Sequence, residues 1–196
     1  MASTPIAKNW DEFEYDQVKL GKCYLTRNGN KYYNLTYPTK YIKTDECRIP
    51  FNPFESSLCI EITYDFKDKL DILYETVVKI CVDESVNMFG QAKTETEVRS
   101  IVNKPYRHTN TDYNPTLSLS KGKNSAVYNM NKEQVCYSDV RKNSLVKCAI
   151  YLSKLFYNPQ ESVIKVFFEY KECKIKQEKI KQEADEIMDE YDDYSV

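Results

Sequence analysis

The chain has 196 residues, with 28 basic and 30 acidic side chains, a formal net charge of −2, and 17 tyrosines. That length suits one domain with a real core. It has no run of 18 apolar residues, and the start MASTPIAKNWDEFEYD lacks a basic-then-apolar leader, so neither a membrane span nor a secretory signal is expected.

Seven cysteines without a CxxC pair and a single histidine, His108, give no ligand spacing suited to structural zinc. No metal and no cofactor are expected. Unpaired thiols suit a reducing, intracellular compartment.

Residues 1–16 read as an N-terminal arm, and residues 17–176 as the folded domain. In GKCYLTRNGNKYYNLTY, Asn28-Gly29 lies between two β-prone runs. A two-residue type I′ turn, with φ > 0 at both positions, then joins strands at Lys22–Arg27 and Lys31–Tyr37. A short strand is expected at Lys40–Thr44. In SLCIEITYDF, Leu58, Ile60, Ile62 and Tyr64 alternate with Cys59, Glu61, Thr63 and Asp65, the pattern of a half-buried strand.

The period then changes. Leu70, Leu73, Tyr74, Val77, Ile80 and Cys81 recur at three and four, which predicts an amphipathic helix capped by Asp65 or Asp68 and broken at Gly90. A second helix is expected over Thr94–Val102, so a helical insertion occupies about 66–103. Beyond it, TDYNPTLSLSKGKNSAVYNM predicts two short strands around a turn at Lys121-Gly122-Lys123. SLVKCAIYLSKLFY and SVIKVFFEYKECKIKQ alternate as two long antiparallel strands. The fold class is mainly β with helical insertion, an OB-like Greek-key barrel.

Residues 177–196 form an acidic tail, in which a frayed helix is expected after Ile175. The last fourteen residues, EADEIMDEYDDYSV, hold seven acids and no base, so residues 1–182 carry 28 basic against 23 acidic side chains. Acidic blocks of this kind stay solvated and serve as interaction tails. Asp189, Glu190, Tyr191, Asp192, Asp193 and Tyr194 are the candidate partner-binding residues.

The four glycines are too scattered for a phosphate-cradling loop, and a catalytic triad would rest wholly on His108, in the loop-like PYRHTNTDY. No enzyme is expected. Cations interleaved with rings instead suit single-stranded nucleic acid, whose phosphates need charge and whose unstacked bases need flat partners. The candidates are Lys31, Tyr33, Tyr37, Lys40, Tyr41, Lys43, Arg48 and Phe51, followed by Lys104, Arg107, Tyr113, Lys121 and Lys123. The tail is expected to occupy this basic surface until DNA displaces it. A viral structural or assembly protein, using the same β-domain to bind protein, is the alternative.

The stretch VKLGKCYLTRNGNKYYNLTYPTKYIKTDECRIPF resembles the front of the single-stranded DNA-binding proteins of large nucleocytoplasmic DNA viruses, with Lys19-Leu20-Gly21 at its start and Arg48-Ile49-Pro50-Phe51 at its end. Leu73-Tyr74-Glu75, TDYNPTLSLSK and SDVRKNSLVKCAIYLSKLFY fall where that family has a helix and two strand segments. The resemblance covers about residues 17–176. It departs at Asn52-Pro53-Phe54 and at Asn158-Pro159-Gln160-Glu161, where the family has glycine. It implies an OB-type barrel that coats single-stranded DNA, with RNA as a second option, during viral replication, recombination or repair. Replication proteins recruited through the tail are the implied partners, no membrane is involved, self-association stays open, and the host cytoplasm or nucleus is the implied location.

Overall fold

A computed structural model describes residues 8–54, 57–109 and 112–176. Residues 8–16 are docked on the domain. Lys8 exchanges backbone hydrogen bonds with Tyr41 and Lys43 (3.0 and 2.9 Å). Trp10 and Phe13 are buried, and the Trp10 ring stacks on Phe66 at 5.1 Å. Together they form an aromatic plug under the first helix.

Strands β1 (Lys19–Leu25) and β2 (Lys31–Thr36) make the expected hairpin. Its turn differs from the expectation. Only Gly29 has positive φ (+79°), and its N–H donates to the Thr26 carbonyl. A longer loop therefore replaces the two-residue type I′ turn, and one left-handed residue, a role glycine fills without a Cβ penalty, suffices. Strands β3 (Ile42–Lys43) and β4 (Cys47–Arg48) follow, separated by buried Thr44. The Thr44 hydroxyl accepts from the Cys148 N–H at 2.9 Å, so a side chain completes the ladder where the backbone leaves it.

Strand β5 (Ser57–Glu61) buries Leu58 and Ile60, as its alternation predicts. Tyr64, expected on the same strand face, instead opens helix α1 (Tyr64–Asp83). The cap is Thr63, whose hydroxyl accepts from the Phe66 N–H, rather than either aspartate. Phe66, Leu70, Leu73, Val77 and Cys81 form the buried stripe. Helix α2 (Ser85–Phe89) stops at left-handed Gly90, and α3 (Glu95–Ile101) starts in a capping box between Thr94 and Glu97. Arg99 ties α3 to Glu75 of α1.

The expected pair of strands around Lys121-Gly122-Lys123 is one strand, β6 (Thr116–Tyr128), with a bulge between Lys121 and Ala126. Ser125 holds the bulge, its one hydroxyl proton shared between the Gly122 and the Tyr170 carbonyls. Gly122 lets the strands approach there, since a Cβ would lie 2.5 Å from the Tyr151 hydroxyl and displace that side chain. After β7 (Gln134–Val135) come the two long strands β8 (Leu145–Asn158) and β9 (Val163–Lys176).

The sheet order is β1-β2-β8-β9-β6-β5, with β3 and β4 continuing the β2 edge along β8. All these pairs are antiparallel except β6–β9. Following β4-β8-β9-β6-β5 around, the sheet curls until β5 approaches β4 again. Arg48 and Glu61 close that gap through side chains. The result is a mainly β, OB-like open barrel with a helical insertion packed against it. Tyr170, Phe168, Ile150 and Leu119 fill the barrel core, all at most 1% exposed.

Candidate nucleic-acid interface

The outer side of β5 and β6 carries small side chains. Ser57 faces Ser120, Cys59 faces Ser118, and Glu61 faces Thr116. Directly opposed residues share a sheet face, so these six make a low floor about 14 Å long at the usual strand rise. Its acid, Glu61, is neutralised. Arg48 grips it with two hydrogen bonds of 2.9 and 2.5 Å.

Taller rings stand at both ends of this floor. At the Ser57 end, the β4–β5 loop carries Phe51 and Phe54, 62% and 73% exposed. At the Glu61 end, Tyr64 and Tyr113 are 49% and 69% exposed. The Tyr64 ring meets His108 edge-on at 5.7 Å. Arg107 exchanges two backbone hydrogen bonds of 2.8 Å with Thr116, which sets its exposed side chain at the same end. Lys121 and Lys123, both exposed, continue β6 past Ser120. Burial raises the pKa of the Cys59 thiol in the floor, partly offset by a Thr116 contact and the Arg107 charge.

The sequence candidates therefore divide into three groups. Arg48, Phe51, Arg107 and Tyr113 border the floor, while Lys121 and Lys123 continue β6 beyond it, Lys121 on the other parity and opposite buried Tyr170. Lys40, Tyr41 and Lys43 lie across β9 from the floor, on the outer side of β3 and β8, where the Lys40 ammonium sits 5.6 Å over the Tyr41 ring and Tyr41 meets Tyr151 edge-on. The remaining four are structural. Tyr33 is 6% exposed, on the same inward parity as buried Leu35. The Tyr37 hydroxyl donates to the Leu152 carbonyl, and its ring packs on Phe13. Lys31 caps α2 by donating to the Met88 carbonyl at 2.7 Å. Lys104 donates to Asp71 at 2.8 Å and so anchors the segment that carries Arg107.

Burial alone would raise the pKa of the Asp71 carboxyl, but hydrogen bonds from Lys104, Lys67 and Tyr106 outweigh it and bring it to about 2. The tail residues Asp189, Glu190, Tyr191, Asp192, Asp193 and Tyr194, and the helix expected after Ile175, lie outside the described residues. Among the described residues no group of three or more His, Cys, Asp or Glu side chains is placed to hold a metal ion.

Sequence reasoning missed Phe54, Tyr64 and the floor itself. Phe54 had a signal, since Phe-Asn-Pro-Phe puts two rings on one proline-bearing loop. The floor had one too, as the serines of TLSLS alternate with its leucines.

No family model matches the chain, and no curated protein matches its sequence. Solved structures do. The chain has the fold of gp2.5, a single-stranded DNA-binding protein encoded by bacteriophage T7, with a TM-score of 0.50 at 11% identity over 74% of this chain and 97% of that one. It is also similar to the single-stranded DNA-binding protein from bacteriophage Enc34, with a TM-score of 0.42 at 11% identity over 82% of this chain and 90% of that one. The Enc34 protein in complex with ssDNA gives a TM-score of 0.41 at 10% identity over 83% and 97%.

Proposed function

We propose that this chain is a sequence-tolerant single-stranded DNA-binding protein, a binder rather than an enzyme. The observation that carries the reading is the β5–β6 floor. It is low enough for a strand to lie on, and it has the exposed rings Phe51, Phe54, Tyr64 and Tyr113 at its ends. Each ring would stack one unpaired base, at about 1–3 kcal/mol per base. Arg107, Lys121 and Lys123 would follow the phosphates. Stacking accepts every base, so the binding would be tolerant of sequence. A base pair offers neither face freely, so duplex would bind less well. The shared fold with gp2.5 supports the same reading.

The finer role is coating of unpaired strands during viral DNA replication, recombination or repair. This follows the resemblance to the proteins of large nucleocytoplasmic DNA viruses, in a reducing intracellular compartment. The seven acids after Gln182 would compete with DNA for the cations and, once displaced, recruit replication proteins.

The test is fluorescence anisotropy with labelled single- and double-stranded oligonucleotides over a salt series. Preferred binding of the single strand, weakening as salt rises through counterion release, is the expected outcome. Absence of single-strand binding at low salt would overturn the reading.

A further inference from the structure

A second surface has the same ingredients and lies off the β5–β6 floor. The strand registers put Tyr24 opposite Tyr32, and Tyr32 opposite Phe156. Lys154 lies opposite Phe167. Four rings therefore cross four strands on one face. The Tyr32 and Phe156 centroids are 4.8 Å apart, and those of Phe156 and Phe167 are 6.1 Å apart. The opposite face buries Tyr33, Leu155 and Ile164, and Tyr157 there packs on Phe89 of α2. The ring row thus faces away from the helices. Tyr24 is 46% exposed and the other three are half-buried, each partly covered by its neighbours.

A cross-strand ring row can simply stabilise a sheet. Charge argues for more here. The Lys22 ammonium sits 5.3 Å over the Tyr24 ring, and that of Lys154 sits 5.6 Å over Tyr32. Lys165, opposite Phe156, is exposed. The nearest acid on this face, Glu169, accepts from Tyr151 and pairs with Lys154 at 3.8 Å. Among the described residues the row is therefore flat and cationic, with this acid compensated.

We propose that this row is a second stacking track for single-stranded nucleic acid, reached by the same strand once it runs past the barrel floor. The proposal rests on the single-strand reading above. An exposed ammonium–ring contact is weaker than a base–ring stack. An arriving base would displace Lys22 and Lys154 from their rings, and the freed ammoniums would meet the phosphates on either side. Each protomer would then occlude more nucleotides than the floor alone accommodates.

The test uses the full chain, with Tyr24→Ala/Tyr32→Ala on one hand and Phe51→Ala/Phe54→Ala on the other. Each is measured against labelled dT oligomers of about 6 and about 20 nucleotides, lengths that bracket the usual site sizes of such domains. Tyr24→Ala/Tyr32→Ala is expected to leave the short oligomer unchanged, weaken the long one about tenfold or more, and reduce the occluded length. Phe51→Ala/Phe54→Ala should weaken both. Lys22→Gln/Lys165→Gln, which alters only exposed side chains, provides a control against misfolding. It should lower the salt slope on the long oligomer by about one per contact. Equal binding of the long oligomer by wild type and by both row variants would overturn the second track and leave the first reading standing, with the row then a protein-contact or structural feature. Failure of the wild type to bind either oligomer would overturn both.

Discussion

Arg48 and Glu61 meet across the gap between β4 and β5, with Nε to Oε2 at 2.9 Å and Nη2 to Oε1 at 2.5 Å. The Arg48 side chain is 49% exposed, while that of Glu61 is 13% exposed. One pair thus performs two tasks. It closes the barrel where backbone pairing stops, and it keeps a negative charge from facing the floor. Glu61→Gln should free the guanidinium for phosphate and tighten single-strand binding at low salt. Arg48→Gln should weaken binding, because it leaves the Glu61 carboxylate unpaired beside the floor. Anisotropy titrations at several salt concentrations would measure both, and a thermal melt should show Arg48→Gln less stable than wild type.

Phe51 and Phe54 are too exposed to hold the core together. Replacing both with alanine should leave the melting temperature nearly unchanged and cost about 1–3 kcal/mol of binding for each base unstacked. Trp10 gives the contrast. It is 4% exposed and stacked on Phe66, so Trp10→Ala should cost about 3–5 kcal/mol of stability. Denaturant unfolding, alongside oligonucleotide titration, separates the two effects.

Asp71 links α1 to the segment carrying Arg107. Its carboxyl titrates at about 2 in the folded protein, against 3.8 unperturbed. The depressed folded value means that its contribution is present above the unfolded pKa and is lost as pH falls from about 4 towards 2. The shift alone would set a ceiling of about 2 kcal/mol. The side chain is 30% exposed, so solvent screening reduces this to about 1 kcal/mol. Asp71→Asn should therefore be less stable than wild type at neutral pH, with the difference closing below pH 4 in urea melts.

The thiols should fall into classes. Cys23 and Cys136 are exposed, whereas burial raises Cys47 to about 11 and Cys81 to about 12. Cys148 is raised too, chiefly by the hydrogen bond with Cys173 and then by burial. Titration of the native protein with a colourimetric disulfide reagent should show two fast thiols. Half-buried Cys59, in the floor, should react slowly and become protected when oligonucleotide is bound.

Ending the chain at Gln182 removes seven acids and no base. Single-strand binding should tighten, most of all at low salt where charge competition is least screened. Unchanged or weaker binding, measured by anisotropy side by side with the full chain, would remove the tail from the account.

Much of this architecture is legible in short-range pattern. The three-and-four spacing from Leu70 to Cys81, the Thr94–Glu97 box and the alternation of Leu58 and Ile60 each concern residues within a few turns or one strand, and the elements form where they point. The site is less legible because strand parity decides it. In KYYNLTY, Leu35 shows which parity points inward, and Tyr33 shares it, so Tyr32 rather than Tyr33 reaches the outer face. Lys31 and Lys104 look like free cations in sequence. Their partners, the Met88 carbonyl and Asp71, lie 57 and 33 residues away. The continuity of β6 is hidden in the sequence because Gly122 resembles a turn glycine until Tyr151 and Glu169 are set beside it. The ring row from Tyr24 to Phe167 exists only through the registers of four strands.

The most direct test of where the strand lies is photocrosslinking of a short oligomer containing 5-iododeoxyuridine, with the crosslinked peptides mapped by mass spectrometry. Adducts are expected at Phe51, Phe54, Tyr64 and Tyr113, lost when unlabelled single strand is added in excess. Adducts confined to the solvent side of α1 and α3, with the β5–β6 rings untouched, would contradict this expectation.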